Sequence, residues 1–225
     1  MAIITGKKSK DNITGTAGDD TIHGLGGADT VWAHAGNDVV YGGDGDDYLM
    51  GMAGDDVLYG DAGRDTLQGQ HGHDTLNGGD GNDSLWGGTG GDTLRGGTGA
   101  DVFNFGRSVD STTRTTEQVQ AVTNDTGDVA GLDVIMDFNR SEGDRIDISR
   151  IDAFDQSRDG LSGNSSFTTF AGPQTSAGSA WIVYDPDQSG HAFLYLNQDG
   201  GEAAEFQLEI FGTFTTLTWG FDIFI

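Results

Sequence analysis

The sequence predicts an all-β protein, in which a coil of short parallel strands precedes a second β-rich region. The main observation is a period of nine residues that runs from Gly6 to Asn104 through eleven units without an insertion. One residue in every nine-residue unit is always Asp, and the residue two positions after each of these Asp residues is always apolar. Such strict self-similarity is typical of a solenoid rather than of a disordered polar chain.

Two positions of the nonapeptide are fixed in type. The sixth residue of each unit is an aspartate: Asp11, Asp20, Asp29, Asp38, Asp47, Asp56, Asp65, Asp74, Asp83, Asp92 and Asp101. The eighth is aliphatic or aromatic: Ile13, Ile22, Val31, Val40, Leu49, Leu58, Leu67, Leu76, Leu85, Leu94 and Phe103.

The remaining positions explain how a unit folds. Positions one to six are rich in Gly and suit a tight turn, whereas positions seven to nine read as a short strand whose eighth residue points inward. One turn and one strand cannot close a coil but two can, so we expect eighteen residues per coil and two opposed parallel sheets. The first unit carries Lys7, Lys8 and Lys10 in its turn, which predicts a polar cap.

Composition limits the function. The 225-residue chain has a formal net charge of -25 and no Cys, which argues against nucleic acid or an anionic membrane surface as a partner and rules out disulfide staples. No apolar run approaches the roughly 20 residues that span a bilayer. Residues 1–6 are too short for a signal peptide with an apolar core of about 7–15 residues.

The Asp-rich turns call for a counter-charge. Carboxylates and free turn carbonyls are oxygen ligands, of which Ca²⁺ takes six to eight. If a cation holds the turns, folding and metal binding form one equilibrium.

The repeat resembles the RTX (hemolysin-type) calcium-binding nonapeptide, with residues 78–86 (GGDGNDSLW) and 96–104 (GGTGADVFN) as close matches. The resemblance implies a right-handed parallel β-roll, the RTX solenoid, with about eight Ca²⁺ ions held between turns two units apart. The implied aspartate ligands are Asp20, Asp29, Asp38, Asp47, Asp56, Asp65, Asp74, Asp83, Asp92 and Asp101. Backbone carbonyls complete each shell, such as those of Gly43, Gly45, Gly79, Gly81, Gly88, Gly90, Gly97 and Gly99.

Some units depart from this pattern. Ala33 and His34 replace both leading glycines of one turn, and Arg64 places a positive charge in another. We expect weaker sites there. The lysine-rich first turn should hold no ion, so the Asp11/Asp29 pair is left out of the count.

The chain after the repeats divides into two parts. Residues 105–131 break the period and read as a loop or linker, which leaves residues 1–104 as the roll and residues 132–225 as a β-sandwich-like C-terminal region. Its predicted strands are Leu132–Phe138, Arg145–Ile148, Phe167–Phe170, Trp181–Tyr184, Ala192–Asn197, Phe206–Phe211 and Trp219–Ile225.

Three segments of this region resemble known proteins. Residues 133–138 (DVIMDF) and 143–149 (GDRIDIS) resemble the segment after the roll in serralysin C-terminal domains and in mannuronan-epimerase R-modules. Residues 221–225 (FDIFI) resemble the uncleaved C-terminal signal of type I secretion substrates. The alternative interpretation of this last segment is a final core strand.

The ninth positions of the repeats point outward and form candidate binding surfaces. Tyr41 and Tyr59 are expected to stack on one sheet with His23, while Trp32 and Trp86 lie on the other sheet with Met50. Exposed aromatic rows can bind glycans or protein partners. The alternative is that residues 105–225 cover a face, or that these residues simply suit strands.

No catalytic motif is recognisable. The five histidines fall on variable positions, and no His-Glu-x-x-His sequence is present, so neither a histidine zinc site nor the proteolytic centre of serralysins is predicted.

These features together predict a secreted, extracellular, non-catalytic calcium-binding module. Its folding is coupled to extracellular calcium after passage through the type I secretion apparatus. Two alternatives stay open. The chain could be the accessory or C-terminal module of a secreted protease, lipase or alginate epimerase, or a carbohydrate-binding or adhesive module with a polysaccharide or protein partner.

Overall fold

The computed structural model describes residues 1–106, 133–150, 168–170, 179–184, 191–197, 206–213 and 223–224. All elements in these ranges are β-strands joined by turns. Most of the predicted linker, residues 107–131, lies outside the described residues. No helix in the described part of the chain is long and apolar enough to cross a membrane.

Residues 1–106 form twelve strands, one from each of the eleven units and one from the residues before the first unit. They are β1 Ala2–Thr5, β2 Asn12–Thr14, β3 Asp20–Gly26, β4 Thr30–Ala35, β5 Val39–Asp44, β6 Tyr48–Ala53, β7 Val57–Ala62, β8 Thr66–His71, β9 Thr75–Asp80, β10 Ser84–Thr89, β11 Thr93–Thr98 and β12 Val102–Gly106.

Alternate strands pair in parallel and build two sheets. One sheet contains the order β1-β3-β5-β7-β9-β11, and the other contains β12-β10-β8-β6-β4-β2. Each residue pairs with the one eighteen positions later, as Val40 does with Leu58 and Leu49 with Leu67. The predicted all-β parallel roll with eighteen residues per coil is confirmed.

The strands are longer than the sequence indicates. From β4 to β11 each strand has six residues rather than three and runs from position seven of one unit to position three of the next. The parallel pairing skips the leading Gly of the next unit and resumes at its second residue, as in the pairs Trp86–Gln68 and Gly88–Gln70. The prediction of three-residue strands was therefore wrong, because backbone pairing extends into residues whose composition suggests a turn.

The core of the roll is a single file of side chains from each sheet. The eighth-position residues from Ile22 to Leu94 are fully buried, and Phe103 closes the series. The sixth-position aspartates from Asp20 to Asp101 are also buried, each at most 3% exposed. A thin apolar centre is therefore flanked at both turn edges by rows of buried carboxyl groups.

The described strands after residue 132 add to the same two sheets. They are β13 Asp133–Asn139, β14 Arg145–Arg150, β15 Thr168–Phe170, β16 Ser179–Tyr184, β17 His191–Asn197, β18 Phe206–Thr213 and β19 Ile223–Phe224. Within the described residues, β13 to β18 confirm the predicted strands, whereas of the predicted strand Trp219–Ile225 only Ile223–Phe224 is described. The first sheet continues as β11-β13-β18-β17-β16-β15, and the second as β12-β14-β19. A separate β-sandwich-like region stays a prediction.

Glycine at the fourth position of the turn is required by the backbone. Gly63 has a φ of 146°, and a Cβ there would overlap the carbonyl oxygen of Gly45 in the preceding coil. The turns stack this closely along both edges, so the fourth glycine sets the distance between coils.

We predict that Gly63→Ala destabilises the folded roll by at least about 1–2 kcal/mol, the cost of a left-handed backbone at a non-Gly residue, with the steric overlap adding to it. The matched control is Gly18→Ala, because a Cβ at Gly18 meets nothing within 4 Å. The measurement is urea unfolding in saturating calcium. Equal midpoints for the two variants would contradict the close stacking of the turns.

Candidate metal centre

The sixth-position aspartates form a ladder of hydrogen bonds along each turn edge. The backbone N–H of Asp20 donates to Oδ1 of Asp38 over 2.7 Å, and the N–H of Asp38 donates to Oδ1 of Asp56 over 2.8 Å. On the opposite edge the N–H of Asp83 donates to Oδ1 of Asp101 over 2.8 Å. The structure thus brings together the aspartates that the sequence pairs, eighteen residues apart.

The second carboxylate oxygen of most of these aspartates has no partner. Oδ2 is buried without a hydrogen bond in nine residues: Asp29, Asp38, Asp47, Asp56, Asp65, Asp74, Asp83, Asp92 and Asp101. A buried, unsatisfied polar atom costs roughly 1–3 kcal/mol, and more when it is charged. Nine such atoms in two regular rows fit a repeated ligand-binding site better than a local defect.

Eight of these oxygens, all except that of Asp38, lie close to the place where a Cβ would stand on the position-one glycine, and in several turns a backbone carbonyl oxygen of the next coil lies there too. A Cβ added to Gly24 would lie 2.6 Å from Oδ2 of Asp29, and one added to Gly60 would lie 2.5 Å from both Oδ2 of Asp65 and the Gly78 carbonyl oxygen of the next coil. Glycine at position one keeps this space open. A carboxylate and backbone carbonyls are the donor set that a hard cation such as Ca²⁺ prefers.

The first two turns are built differently, because protein donors satisfy their aspartates. The N–H and Oγ1 of Thr16 donate to Oδ2 of Asp20 over 2.6 and 2.8 Å. In the first turn the N–H of Lys7 donates to Oδ2 of Asp11, and the Lys7 ammonium lies 3.9 Å from Oδ1. The structure therefore separates Asp20 from the nine aspartates that have an unpaired oxygen.

The φ angle at position two also distinguishes the first two turns from the later turns. In units three to eight five non-Gly residues occupy position two with φ between 73° and 84°: Leu25, His34, Met52, Asp61 and Gln70. Such conformations cost of order 1–3 kcal/mol each and persist only where the surroundings enforce them. Neither Lys7 nor Thr16 has a positive φ. The turn that replaces both leading glycines by Ala33 and His34 keeps the strained geometry.

Burial raises the pKa of the ladder carboxyls. The pKa of Asp74 rises to about 8 and that of Asp56 to about 7, chiefly because they are buried and additionally because carboxylates of the same edge lie beside them. The pKa of Asp47 rises to about 6 for the same reasons. The pKa of Asp20 is lowered instead, first by the hydrogen bond from the Thr16 backbone.

These shifts predict how a roll without bound cation responds to pH. Since the folded pKa values of about 6–8 lie above the unfolded value of about 3.9, the folded chain binds more protons between these limits, and its stability falls as pH rises. We expect metal-stripped protein to gain β-sheet circular dichroism when the pH is lowered from 8 to 5. A gain of structure on raising the pH in the same metal-free buffer would contradict this electrostatic origin.

Two buried aspartates outside the repeats extend the ladders. The N–H of Asp92 donates to Oδ1 of Asp133 over 2.9 Å, and the N–H of Asp101 donates to Oδ1 of Asp144 over 3.0 Å. The sequence analysis did not include them, because they lie 41 and 43 residues from their partners rather than eighteen. The Asp-x-apolar spacing of Asp133 with Ile135 and of Asp144 with Ile146 is the signal that identifies them.

The side chain of Arg64, which occupies a variable turn position, lies away from the aspartate ladders. The guanidinium of Arg64 contacts the exposed carboxylate of Asp46 at 3.4 Å, on the outside of the turn. In the described part of the chain, no three acidic or histidine side chains are already arranged around one point. A cation in a turn would therefore take part of its coordination from the backbone.

The aromatic residues occupy the predicted faces. The His23 and Tyr41 rings stack at 4.9 Å, and the Tyr41 and Tyr59 rings at 5.0 Å. On the other sheet Trp32 pairs with Met50, but Gln68 separates Met50 from Trp86. The row on the first sheet is therefore continuous, whereas the row on the second is interrupted.

The chain is similar to a solved structure. The structure of a subunit of the Azotobacter vinelandii mannuronan C5-epimerase, determined in solution, shares 24% identity over 97% of this chain and 80% of that chain, with a TM-score of 0.36. None of the curated proteins matches.

The family model of the RTX calcium-binding nonapeptide repeat matches residues 5–40, 41–76, 68–103 and 77–110. The stacked parallel coils and oxygen-lined turns define a cation-binding β-roll. Residues 5–110 are therefore similar to the RTX calcium-binding nonapeptide repeats of that family model, which covers just under half of the chain, and such repeats bind calcium.

Proposed function

We propose that this chain is a secreted, non-catalytic module whose roll is closed by calcium ions bound in its turns. The observation that carries the proposal is the set of nine buried Oδ2 atoms without a hydrogen-bond partner. Calcium satisfies these oxygens and neutralises the carboxylates, whose pKa values are raised chiefly by burial and also by neighbouring like charges.

The proposed ligand set differs from the one implied by the resemblance alone. Each ion binds Oδ2 of one aspartate together with carbonyl oxygens of the Gly-rich turns, such as those of Gly43, Gly45, Gly79 and Gly81. Asp20 leaves the set because Thr16 already satisfies it. Asp92 and Asp101 each hold an ion of their own. The unpaired oxygens thus indicate nine ions instead of about eight.

Calcium then acts as a folding switch. Without it, a chain of net charge -25 repels itself and must bury unpaired carboxylates, which opposes closure of the coils. Extracellular modules commonly bind Ca²⁺ at about 10⁻⁴–10⁻³ M. At cytosolic calcium levels the chain stays unfolded and can be exported, and outside the cell the ions close the roll.

The decisive comparison is between two aspartates of the same edge. We predict that Asp56→Asn lowers the number of calcium ions bound per chain by one, because it removes an unpaired carboxylate oxygen. Asp20→Asn is the matched control and leaves the number unchanged. The ions are counted by native mass spectrometry, and circular dichroism with and without chelator at pH 7.5 reports folding.

Three outcomes contradict the proposal. They are a folded roll in excess chelator at that pH, a count that Asp56→Asn leaves unchanged, and a count that Asp20→Asn lowers. The first removes the folding switch, and the other two remove the ligand assignment.

Export by a type I system is supported by the family, since RTX proteins are typically secreted. Residues 221–225 are the proposed signal, and within them Ile223 and Phe224 form edge strand β19 beside β14. Deleting these five residues should abolish secretion without changing calcium binding by the repeats. The proposed division places the roll at 1–104, a linker at 105–131 and the C-terminal region at 132–225.

A second candidate function is binding of a polysaccharide or protein partner through the outward aromatic residues. It is favoured by the continuous stack of His23, Tyr41 and Tyr59 in a chain whose charge is otherwise strongly negative. Because the stacked rings cover each other's faces, a ligand would meet ring edges and phenol groups.

We expect the double variant Tyr41→Ala and Tyr59→Ala to lose retention on immobilised polysaccharide while its calcium count stays the same. Trp32→Ala with Trp86→Ala tests the opposite face in the same assay. If the wild-type chain is not retained on any of the polysaccharides in a glycan array, carbohydrate binding is excluded as the function.

If the module is attached to a secreted enzyme, it would serve as the accessory part of that enzyme.

A further inference from the structure

The fifth position of the repeat carries a second ladder of hydrogen bonds, on the outside of the turns. Oδ1 of Asn37 accepts the backbone N–H of Asp55 in the following coil over 3.0 Å, and Oδ1 of Asp55 accepts the N–H of His73 over 2.9 Å. In this outer ladder the side chain of the earlier coil accepts, whereas in the inner ladder the side chain of the later coil accepts. Every fifth-position side chain of the repeats that has an acceptor atom makes this bond: Asp19, Asn37, Asp46, Asp55, His73 and Asn82.

Each outer bond fixes a peptide group that also contains a fourth-position carbonyl. The N–H of His73 and the carbonyl of Gly72 belong to one planar trans peptide, so they point in opposite directions. The N–H donates to Asp55 in the preceding coil, and the carbonyl oxygen lies against Gly90 in the following coil. Fourth-position carbonyls are among the proposed calcium ligands. An acceptor at position five therefore aims a ligand that belongs to the next coil.

The outer ladder is interrupted on one edge of the roll. Ala28 and Arg64 occupy position five of the third and seventh units, and neither side chain can accept a hydrogen bond. The N–H groups of Asp46 and Asn82, which lie in the next coils of that edge, therefore meet no fifth-position acceptor. On the opposite edge the ladder has no gap from the second to the tenth unit. The chain thus contains turns with and without an oriented fourth carbonyl.

We propose that the fifth-position side chains are positioning residues that set the calcium affinity of the turn in the next coil. This inference rests on the proposed calcium function. A carbonyl that is already held in its binding direction loses less freedom on binding than one that must first be oriented. Turns that follow an acceptor therefore bind calcium more tightly. Because all six accepting residues are exposed, they can be replaced without disturbing the buried file.

Charge is the competing explanation, because three of the six accepting residues are aspartates that attract a cation at a distance. The hydrogen-bond pattern favours orientation instead. Asn37, Asn82 and His73 make the same bond from the same position without a negative charge. The guanidinium of Arg64 lies 3.4 Å from the Asp46 carboxylate and offsets its charge, yet the N–H of Arg64 still donates to Oδ1 over 3.0 Å.

The experiment compares Asp55→Ala with Asp55→Asn in the full chain. Both variants remove one negative charge, but only Asn keeps an acceptor for the N–H of His73. Competition titration with a chromophoric calcium chelator should give an overall binding constant about two- to tenfold lower for Asp55→Ala than for Asp55→Asn, which is the effect of one hydrogen bond. In calcium-loaded protein the carbonyl ¹³C signal of Gly72 should move only in Asp55→Ala. A general loss of stability does not produce such a local change.

Ala28→Asn tests the opposite change. This variant supplies an acceptor to the N–H of Asp46 in the next coil and leaves the charge of the chain as it is. The overall calcium-binding constant should rise by about two- to tenfold, because the carbonyl of Gly45 is then held in its binding direction.

The outcomes separate the two proposals. If the wild-type chain binds no calcium, the proposed function and this inference both fail. If it binds calcium and Asp55→Ala has the same overall binding constant as Asp55→Asn, only this inference is overturned. A binding constant that Ala28→Asn leaves unchanged overturns it as well.

Discussion

The structure depends on one electrostatic constraint: carboxylates are buried in rows, and one oxygen of each lacks a protein partner. The ladder of N–H to Oδ1 bonds fixes each aspartate against the preceding coil, which leaves Oδ2 turned into its own turn. Protonation at neutral pH removes this cost only in part, because the pKa values of ladder carboxyls lie at about 6–8, and exposure to water would require the coil to open. A bound cation removes it, because it accepts the donor set that the turns already provide.

Other features of the roll follow from that constraint. Position-one glycines leave room for the carboxylate oxygen and the facing carbonyl, and fourth-position glycines let the coils approach. The strained residues at position two, from Leu25 to Gln70, occur only in turns with an unpaired oxygen. In the first two turns, whose second residue has no positive φ, donors of Lys7 and Thr16 satisfy the aspartate oxygen instead. The N-terminal turns are thereby satisfied by protein donors, and at the C-terminal end Asp133 and Asp144 continue the two ladders.

The nine-residue period was sufficient to predict the sheets, their parallel register and the buried file from Ile22 to Leu94. A turn and strand of constant length leave one way to stack, so even the contact between Tyr41 and Tyr59 could be predicted. The role of Thr16 could not, because it depends on the conformation of a turn that has no coil before it on the same edge. Asp133 and Asp144 were not predicted to join the ladders, because the interval before them breaks the nine-residue period, although each keeps the Asp-x-apolar spacing. Strand length was underestimated because glycine composition does not show backbone pairing.

The most direct test of the central claim is a crystal structure of the calcium-loaded chain with anomalous scattering to locate the ions. We expect an ion at a distance of about 2.3–2.6 Å from Oδ2 of each of the nine unpaired aspartates, from Asp29 to Asp101. The turns of Asp11 and Asp20 should contain none. Ions bound away from these oxygens, or an ordered roll in which the nine oxygens have no cation beside them, would contradict the claim that calcium closes the turns.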